Sequence, residues 1–307
     1  MSWVADTRAA APGARPASLR GLAARAAVLA RAAKPRIVGL FALTVLVASL
    51  LAGPVSAAAT VAVVAAAALT VAGAAVLNNA LERDLDARMS RTRRRPTADG
   101  TLSARAALAA GLLAVACGVS AVALCGGALA AAFAAAGAAY YVLVYTLLLK
   151  PHTAYSSLPG GLAGVFPALI GWTAAGGGLS GPIVFLCVLI AVWSPPHFWA
   201  LAFALQDDYL ASGVPTPPVV LGEKAAARLI LAAATALVAL TLAPFATGLY
   251  GPLYLLIAVP AGLGFLLVAL ALARHRRRAT ALLLHKLSGP YLAAILVAMV
   301  AERLAHP

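Results

Sequence analysis

Residues 57–96 read AAATVAVVAAAALTVAGAAVLNNALERDLDARMSRTRRRP, and this stretch decides the fold. From Ala57 to Leu77 no residue carries a charge or a side-chain amide. Such a run, roughly 20 residues long, spans a hydrocarbon core about 30 Å thick as a helix. The character then changes abruptly: two amides, three acids and a string of arginines follow within the next turns. The rest of the chain repeats the pattern. Nine apolar runs are marked at about 37–53, 57–79, 104–125, 128–149, 158–176, 182–205, 226–247, 252–273 and 281–301. Composition agrees, with 63% apolar and 10% charged residues, against about half and about a quarter in soluble domains. Hydrophobicity this high excludes disorder, and continuous rather than alternating runs argue against a closed barrel. The expected fold class is all-α: a polytopic membrane protein with a bundle of nine transmembrane helices.

The connections carry an orientation signal. The turns after runs one, three, five and seven hold Gly and Pro and no charge. Of the 23 lysines and arginines, all but Arg303 fall in the N-terminal stretch or beside the other four connections. Basic residues mark the cytoplasmic side, so the N-terminus is expected in the cytoplasm and the C-terminus outside. The net charge of +14 is thereby assigned to topology, and no nucleic-acid partner is expected. Residues 1–33, with Arg8, Arg15, Arg20, Arg25 and Arg31, read as a basic, flexible cytosolic tail in preference to a targeting peptide. Residues 34–303 read as one transmembrane domain in contact with membrane lipid. Cys117, Cys125 and Cys187 lie inside apolar runs without metal-type spacing and read as packing residues.

The acids need a separate explanation. All but Glu302 of the nine lie on the basic side, and five fall in two short stretches: Glu82, Asp84 and Asp86, then Asp207 and Asp208. If the helix of run two continues, Asn78, Glu82 and Asp86 share one face at i, i+4, i+8. Like charges one turn apart repel, and carboxylates near a bilayer are costly. A divalent cation relieves both, and hard oxygens suit Mg²⁺. Two acidic regions facing one cavity suit metal ions shared on a diphosphate, with Lys34, Arg36, Arg83, Arg91, Arg94 and Lys150 as basic partners. Such a site makes diphosphate a better leaving group. A dry pocket between helices then protects an allylic cation.

Those residues carry a family resemblance. Asn78 to Pro96 resembles the first aspartate-rich motif of the UbiA superfamily of intramembrane prenyltransferases, in its haem O synthase form. Lys34-Pro35-Arg36, Tyr145-Thr146-x-x-Leu149-Lys150, Gly160-Gly161 through Gly171-Trp172, Trp193-x-x-Pro196-His197-Phe198-Trp199, Asp207-Asp208-Tyr209 and Lys286-Leu287-Ser288 resemble further family motifs in order. The resemblance implies Mg²⁺-dependent transfer of a farnesyl group from farnesyl diphosphate to a vinyl group of haem b (protohaem IX). It implies Asn78, Glu82, Asp86, Asp207 and Asp208 as metal ligands, with Asp86 and Asp208 catalytic. Lys34, Arg36, Arg83, Arg91, Arg94, Lys150, Trp199 and Tyr209 are then candidate substrate contacts. His197 follows Pro195-Pro196, where lost backbone hydrogen bonds permit a kink, and is a candidate catalytic residue in contact with the acceptor, orienting it or assisting a proton transfer. The implied location is a bacterial plasma (inner) membrane, with the site open to the cytoplasm.

Three departures are visible. Glu82 stands where the family usually has Asp, Ser194 where it typically has Gln, and the stretch after Lys150 lacks the usual Arg and Asn. They motivate a second expectation, a quinone or aromatic acceptor or a prenyl diphosphate cyclase. A transporter, which intramembrane acids also permit, is the third. Gly160, Gly164 and Ala168, at four-residue spacing, are expected to serve helix packing.

Overall fold

The computed structural model describes residues 19–306. The part of the expected basic tail at residues 1–18 lies outside the described residues. The elements are α1 (Leu19–Ala32), α2 (Pro35–Ala52), α3 (Ala57–Leu81), α4 (Arg83–Arg88), α5 (Ala104–Ala139), a π-helix (Tyr140–Leu149), α6 (Lys150–His152), α7 (Ser157–Gly160), a 3₁₀ turn (Gly161–Gly164), α8 (Val165–Ala174), α9 (Gly181–Ala204), α10 (Gln206–Ser212), α11 (Pro217–Ala246), α12 (Pro252–His275) and α13 (Arg278–Ala305). No strand occurs among the described residues. The last part of the expected tail is therefore helical, and its end is docked: Ala32 is buried, and its carbonyl accepts from Asn79 Nδ2 at 2.7 Å.

Helix starts follow local chemistry. Ser56 and Ser103 are N-caps whose hydroxyls accept from Ala59 N and Ala106 N, each at 3.2 Å. Proline occupies the first turn of α2, α9, α11 and α12, where its missing N–H costs nothing.

Among the described residues, seven helical segments are long and apolar enough to cross a membrane. One of them, Ala104–His152, runs 49 residues and doubles back. Ala107 near its start packs with Ala32 and Ala80. In its middle, a Cβ on Gly126 would lie 2.9 Å from Ala174 Cβ. At its end Lys150 returns to Glu82, beside Ala80. The reversal is at Gly127 (φ 84, ψ 171), a conformation glycine adopts without steric cost. The third and fourth apolar runs are the two arms of this segment. The fifth run is divided among α7, the 3₁₀ turn and α8, none of which alone reaches membrane length.

Helix contacts are close. A Cβ on Gly118 of α5 would sit 2.6 Å from Thr70 N of α3, so the two backbones touch there. Gly160 abuts the Tyr145 ring, a Cβ on Gly164 would lie 3.0 Å from Ile190, and Ala168 is fully buried. The small-residue stripe is thus packed against neighbouring helices. Leu186, Leu237, Leu284 and Ile295 join α9, α11 and α13 in the main core. Outside, Leu124, Leu256 and Leu267 are largely uncovered; an apolar exterior is what a hydrocarbon solvent favours.

The helices alternate in direction and produce two unlike ends. At one, residues around Ala52, Gly176, Gly248 and Glu302 converge. At the other, Lys34, Glu82 and Lys150 meet, Ser90 meets Asp208, and Asp207 meets Arg278. We call these the neutral and the basic end.

Candidate functional site

The acidic segment is not one uninterrupted helix. α3 stops at Leu81, and Glu82 (φ −94, ψ 8) joins it to α4. The i+4 pattern nevertheless survives the joint. Glu82 N donates to Asn78 O at 2.9 Å, and Asp86 N to Glu82 O at 2.7 Å. Asn78, Glu82 and Asp86 therefore keep one face, and they are 1%, 6% and 1% exposed.

That face is filled by cations. Lys150 Nζ donates to Glu82 Oε1 at 2.6 Å. Arg95 Nη1 reaches both Asp86 oxygens, at 2.8 and 2.7 Å. Lys34 Nζ donates to Asn78 Oδ1 and lies 3.5 Å from Tyr141 OH. The Asn78 amide donates in turn to Thr146 Oγ1 at 2.9 Å, and Thr146 to Tyr141 O. The π-helix brings Tyr141, Tyr145 and Thr146 to this point, an irregularity frequent at functional sites. Lys34 itself has left-handed backbone angles (φ 56, ψ 63) between α1 and α2. Such strain in a non-glycine residue is retained where surroundings impose it.

The electrostatics follow from burial. Desolvation, helped by Arg95, pulls Lys34 down to about 7. Burial pushes Glu82 up, but Lys150 and Lys34 outweigh it and hold the carboxyl below its ordinary value. Two buried carboxylates thus face three basic groups, Lys34, Lys150 and Arg95. The balance leans positive and favours an anion.

The second acidic region divides. Asp208 turns toward the first, where its Oδ2 accepts from Ser90 Oγ at 2.7 Å and Arg91 N at 3.4 Å. Burial raises its pKa, and these hydrogen bonds more than reverse that. Asp207 points out to Arg278, with contacts of 2.5 and 2.8 Å between well-exposed side chains. Among the described residues no group of three or more His, Cys, Asp and Glu side chains is arranged to hold a metal ion. Of the four acids expected with Asn78 around one cavity, Glu82, Asp86 and Asp208 lie in one linked region, and Asp207 is turned toward Arg278. Asp84 is exposed and pairs with Arg83.

The other predicted contacts separate likewise. Arg36, Arg83, Arg91 and Arg94 are exposed, whereas Arg95, which spacing did not select, grips Asp86. Arg91 lies within electrostatic range of Tyr145 and His285, and Tyr209 within range of Tyr145. Trp199 is buried edge-on to Tyr155, with its Nε1 unpartnered. His197 stacks on Trp193 at 4.3 Å, and its Nδ1 lies 2.5 Å from Ser288 Oγ. Ser194 is buried, and a Cβ on Gly161 would lie 2.7 Å from its Cβ. Gly161 therefore packs directly against Ser194, with no room for a Cβ.

A cavity of about 780 Å³ lies at the neutral end between Trp172, Tyr250 and Glu302. Its one carboxylate, Glu302, accepts from Tyr254 N at 2.7 Å and so caps the start of α12. α2 separates it from Lys34 by about 27 Å, at 1.5 Å per residue.

An all-helical membrane bundle with a buried amide, carboxylates and bases at one end defines a class. The chain belongs to the UbiA prenyltransferase family, whose model matches residues 41–289. Among curated relatives, a protoheme IX farnesyltransferase of Thermus thermophilus is 40% identical over 272 residues, 88% of this chain. The chain spans 45% of that relative's length. A protein of the same name from Marinobacter nauticus is 37% identical and is covered at 90%, with 88% of this chain. Solved structures show the same fold. A digeranylgeranylglyceryl phosphate synthase superposes with a TM-score of 0.74 at 15% identity, covering 92% of this chain and 99% of the other. A UbiA homologue from Archaeoglobus fulgidus, bound to GPP and Mg²⁺, gives 0.66 at 14%, covering 89% and 99%.

Proposed function

We propose that this chain transfers a farnesyl group from farnesyl diphosphate to a vinyl group of protohaem IX. The observation that carries the prenyl-donor half is the buried Asn78–Glu82–Asp86 face with its three basic partners. Shared names among relatives at 37–42% identity support the haem acceptor.

The donor set fits Mg²⁺ in kind: an amide oxygen and two carboxylates on one face, with Asp208 joined to the same loop. Each buried carboxylate already has a cation, so a bare divalent ion must compete with it. An incoming diphosphate changes that. Lys34, Lys150 and Arg95 would hold its oxygens, and Glu82 and Asp86 would be free to hold the metal. A metal held there would supply charge neutralisation for the departing diphosphate. The bases hold the leaving group as its carbon–oxygen bond breaks, and Trp199 and neighbouring apolar side chains exclude water from the allylic cation. The cation adds to the vinyl carbon, water adds to the adjacent carbon with loss of a proton, and the product is a hydroxyethylfarnesyl haem plus diphosphate.

The reading includes nine crossings, a cytoplasmic N-terminus, a single domain over 34–303 and a bacterial inner membrane. The reversal at Gly127 and the gathering of basic residues at one end support the first two. The test is product identification: purified protein with farnesyl diphosphate, Mg²⁺ and haem b. Haem O by mass is expected. Prenylated aromatic or terpene products without prenylated haem refute the acceptor, and flux in vesicles without product refutes the enzyme.

A further inference from the structure

Four residues on α9 and α13 form a closed proton arrangement outside the acidic face. Ser288 Oγ lies 2.6 Å from the His285 carbonyl oxygen and 2.5 Å from His197 Nδ1. A carbonyl accepts only, so the single serine proton points to it. Ser288 then has only lone pairs for His197, and His197 Nδ1 must carry a proton. His285 Nδ1 lies 3.1 Å from the His197 carbonyl oxygen, which again only accepts. His285 Nδ1 is therefore protonated too. In the neutral rings both Nε2 atoms carry lone pairs. Trp193 Nε1 anchors the assembly by donating to Ser288 O at 2.8 Å.

An imidazole whose Nδ1–H is fixed on a backbone carbonyl is the arrangement that orients a metal-ligating histidine. The two rings differ in access. His197 is covered by Trp193 on one face at 4.3 Å and by His285 on the other at 4.2 Å, with Phe198 edge-on at 5.1 Å. His285 is only partly buried. It sits seven positions into α13, about 10 Å along the axis from Arg278 at 1.5 Å per residue. That is the basic end, within electrostatic range of Arg91.

We infer that His285 Nε2 would ligate the iron of the porphyrin acceptor. Trp193, His197 and Ser288 position that imidazole. The inference rests on the haem reading above.

The test uses the purified full-length protein in nanodiscs, titrated with ferric haem b and followed in the Soret band. The wild type should show an imidazole-ligated spectrum. His285→Asn keeps a donor for the His197 carbonyl but removes the ligand, so haem should bind at least about tenfold more weakly and lose that spectrum. Farnesyl diphosphate binding, unchanged within about twofold, certifies the fold. Should His285→Asn misfold, His285→Ala with added imidazole replaces it, and the spectrum should return with imidazole. An unchanged spectrum in the variant, or its loss in His197→Gln but not in His285→Asn, overturns the assignment alone. A wild type that ignores haem while prenylating another acceptor overturns the acceptor reading and this one with it.

Discussion

Arg95→Met removes the partner of the most deeply buried acid in the site. The Asp86 side chain is 2% exposed and that of Arg95 is 21% exposed. Stripping one partner from a buried ion pair costs about 3–5 kcal/mol, because the remaining charge has neither water nor counter-ion. Two features reduce that figure. The guanidinium is one-fifth exposed, so solvent already screens the pair. Arg95 also suppresses the charge on Lys34, and its removal lets Lys34 supply part of the lost field. The expected destabilisation is about 2–3 kcal/mol. Arg94→Met, one position earlier and exposed, should stay within about 0.5 kcal/mol. Asp86→Asn together with Arg95→Met leaves this pair polar but uncharged, and the cycle should return a coupling of at least about 1 kcal/mol. Equilibrium unfolding of the purified protein in mixed micelles reads the four corners of the cycle and Arg94→Met. Equal effects of Arg94→Met and Arg95→Met, or a double variant no better than Arg95→Met, would refute the reasoning.

Asp208→Asn should reduce turnover at least about a hundredfold, as loss of a group acting on developing charge does. Asp207→Asn, which breaks only an exposed pair, should cost under about 1 kcal/mol of stability and leave most activity; equal losses in steady-state assays would contradict the division of this motif. Gly118→Val should destabilise by about 1–3 kcal/mol through overpacking against Thr70, read by thermal melting, whereas Gly178→Val, which meets open space, should not. Chelation should stop the reaction and Mg²⁺ restore it, measured as diphosphate release. A cytosol-dependent reporter at Gly126 should stay silent, and one at Asp99 should be active.

Much of the fold was readable because membrane helices answer above all to one cost, that of unpaired backbone in hydrocarbon. Apolar run lengths therefore located the helices, and Ser56, Ser103 and the first-turn prolines marked their starts. The break-up of residues 157–174 was not readable, since the periodicity there is that of one helix. The π-helix at 140–149 was equally hidden; a register change of one residue leaves no mark on an all-apolar run. At the site, Asn78, Glu82 and Asp86 were visible from i+4 spacing alone. Arg95 was not, because a chain of tight turns from Met89 to Asp99 folds it back onto Asp86, and turn geometry decides which arginine of 93–95 faces inward. Asp207 and Asp208 looked equivalent in sequence; the short helix α10 turns adjacent side chains apart, one to Ser90 and the other to Arg278. His285 carried no signal at all, since its partner His197 is about ninety residues away.

The central claim is that buried carboxylates now paired with bases pass to a metal only when a diphosphate takes the bases. Calorimetry with Mg²⁺ and an unreactive farnesyl thiodiphosphate tests it directly. Each ligand should strengthen the other by at least about tenfold, equally in both directions, and Asp86→Asn should erase the coupling. Mg²⁺ binding as tight without the diphosphate analogue as with it, and unmoved by Asp86→Asn, would contradict the account.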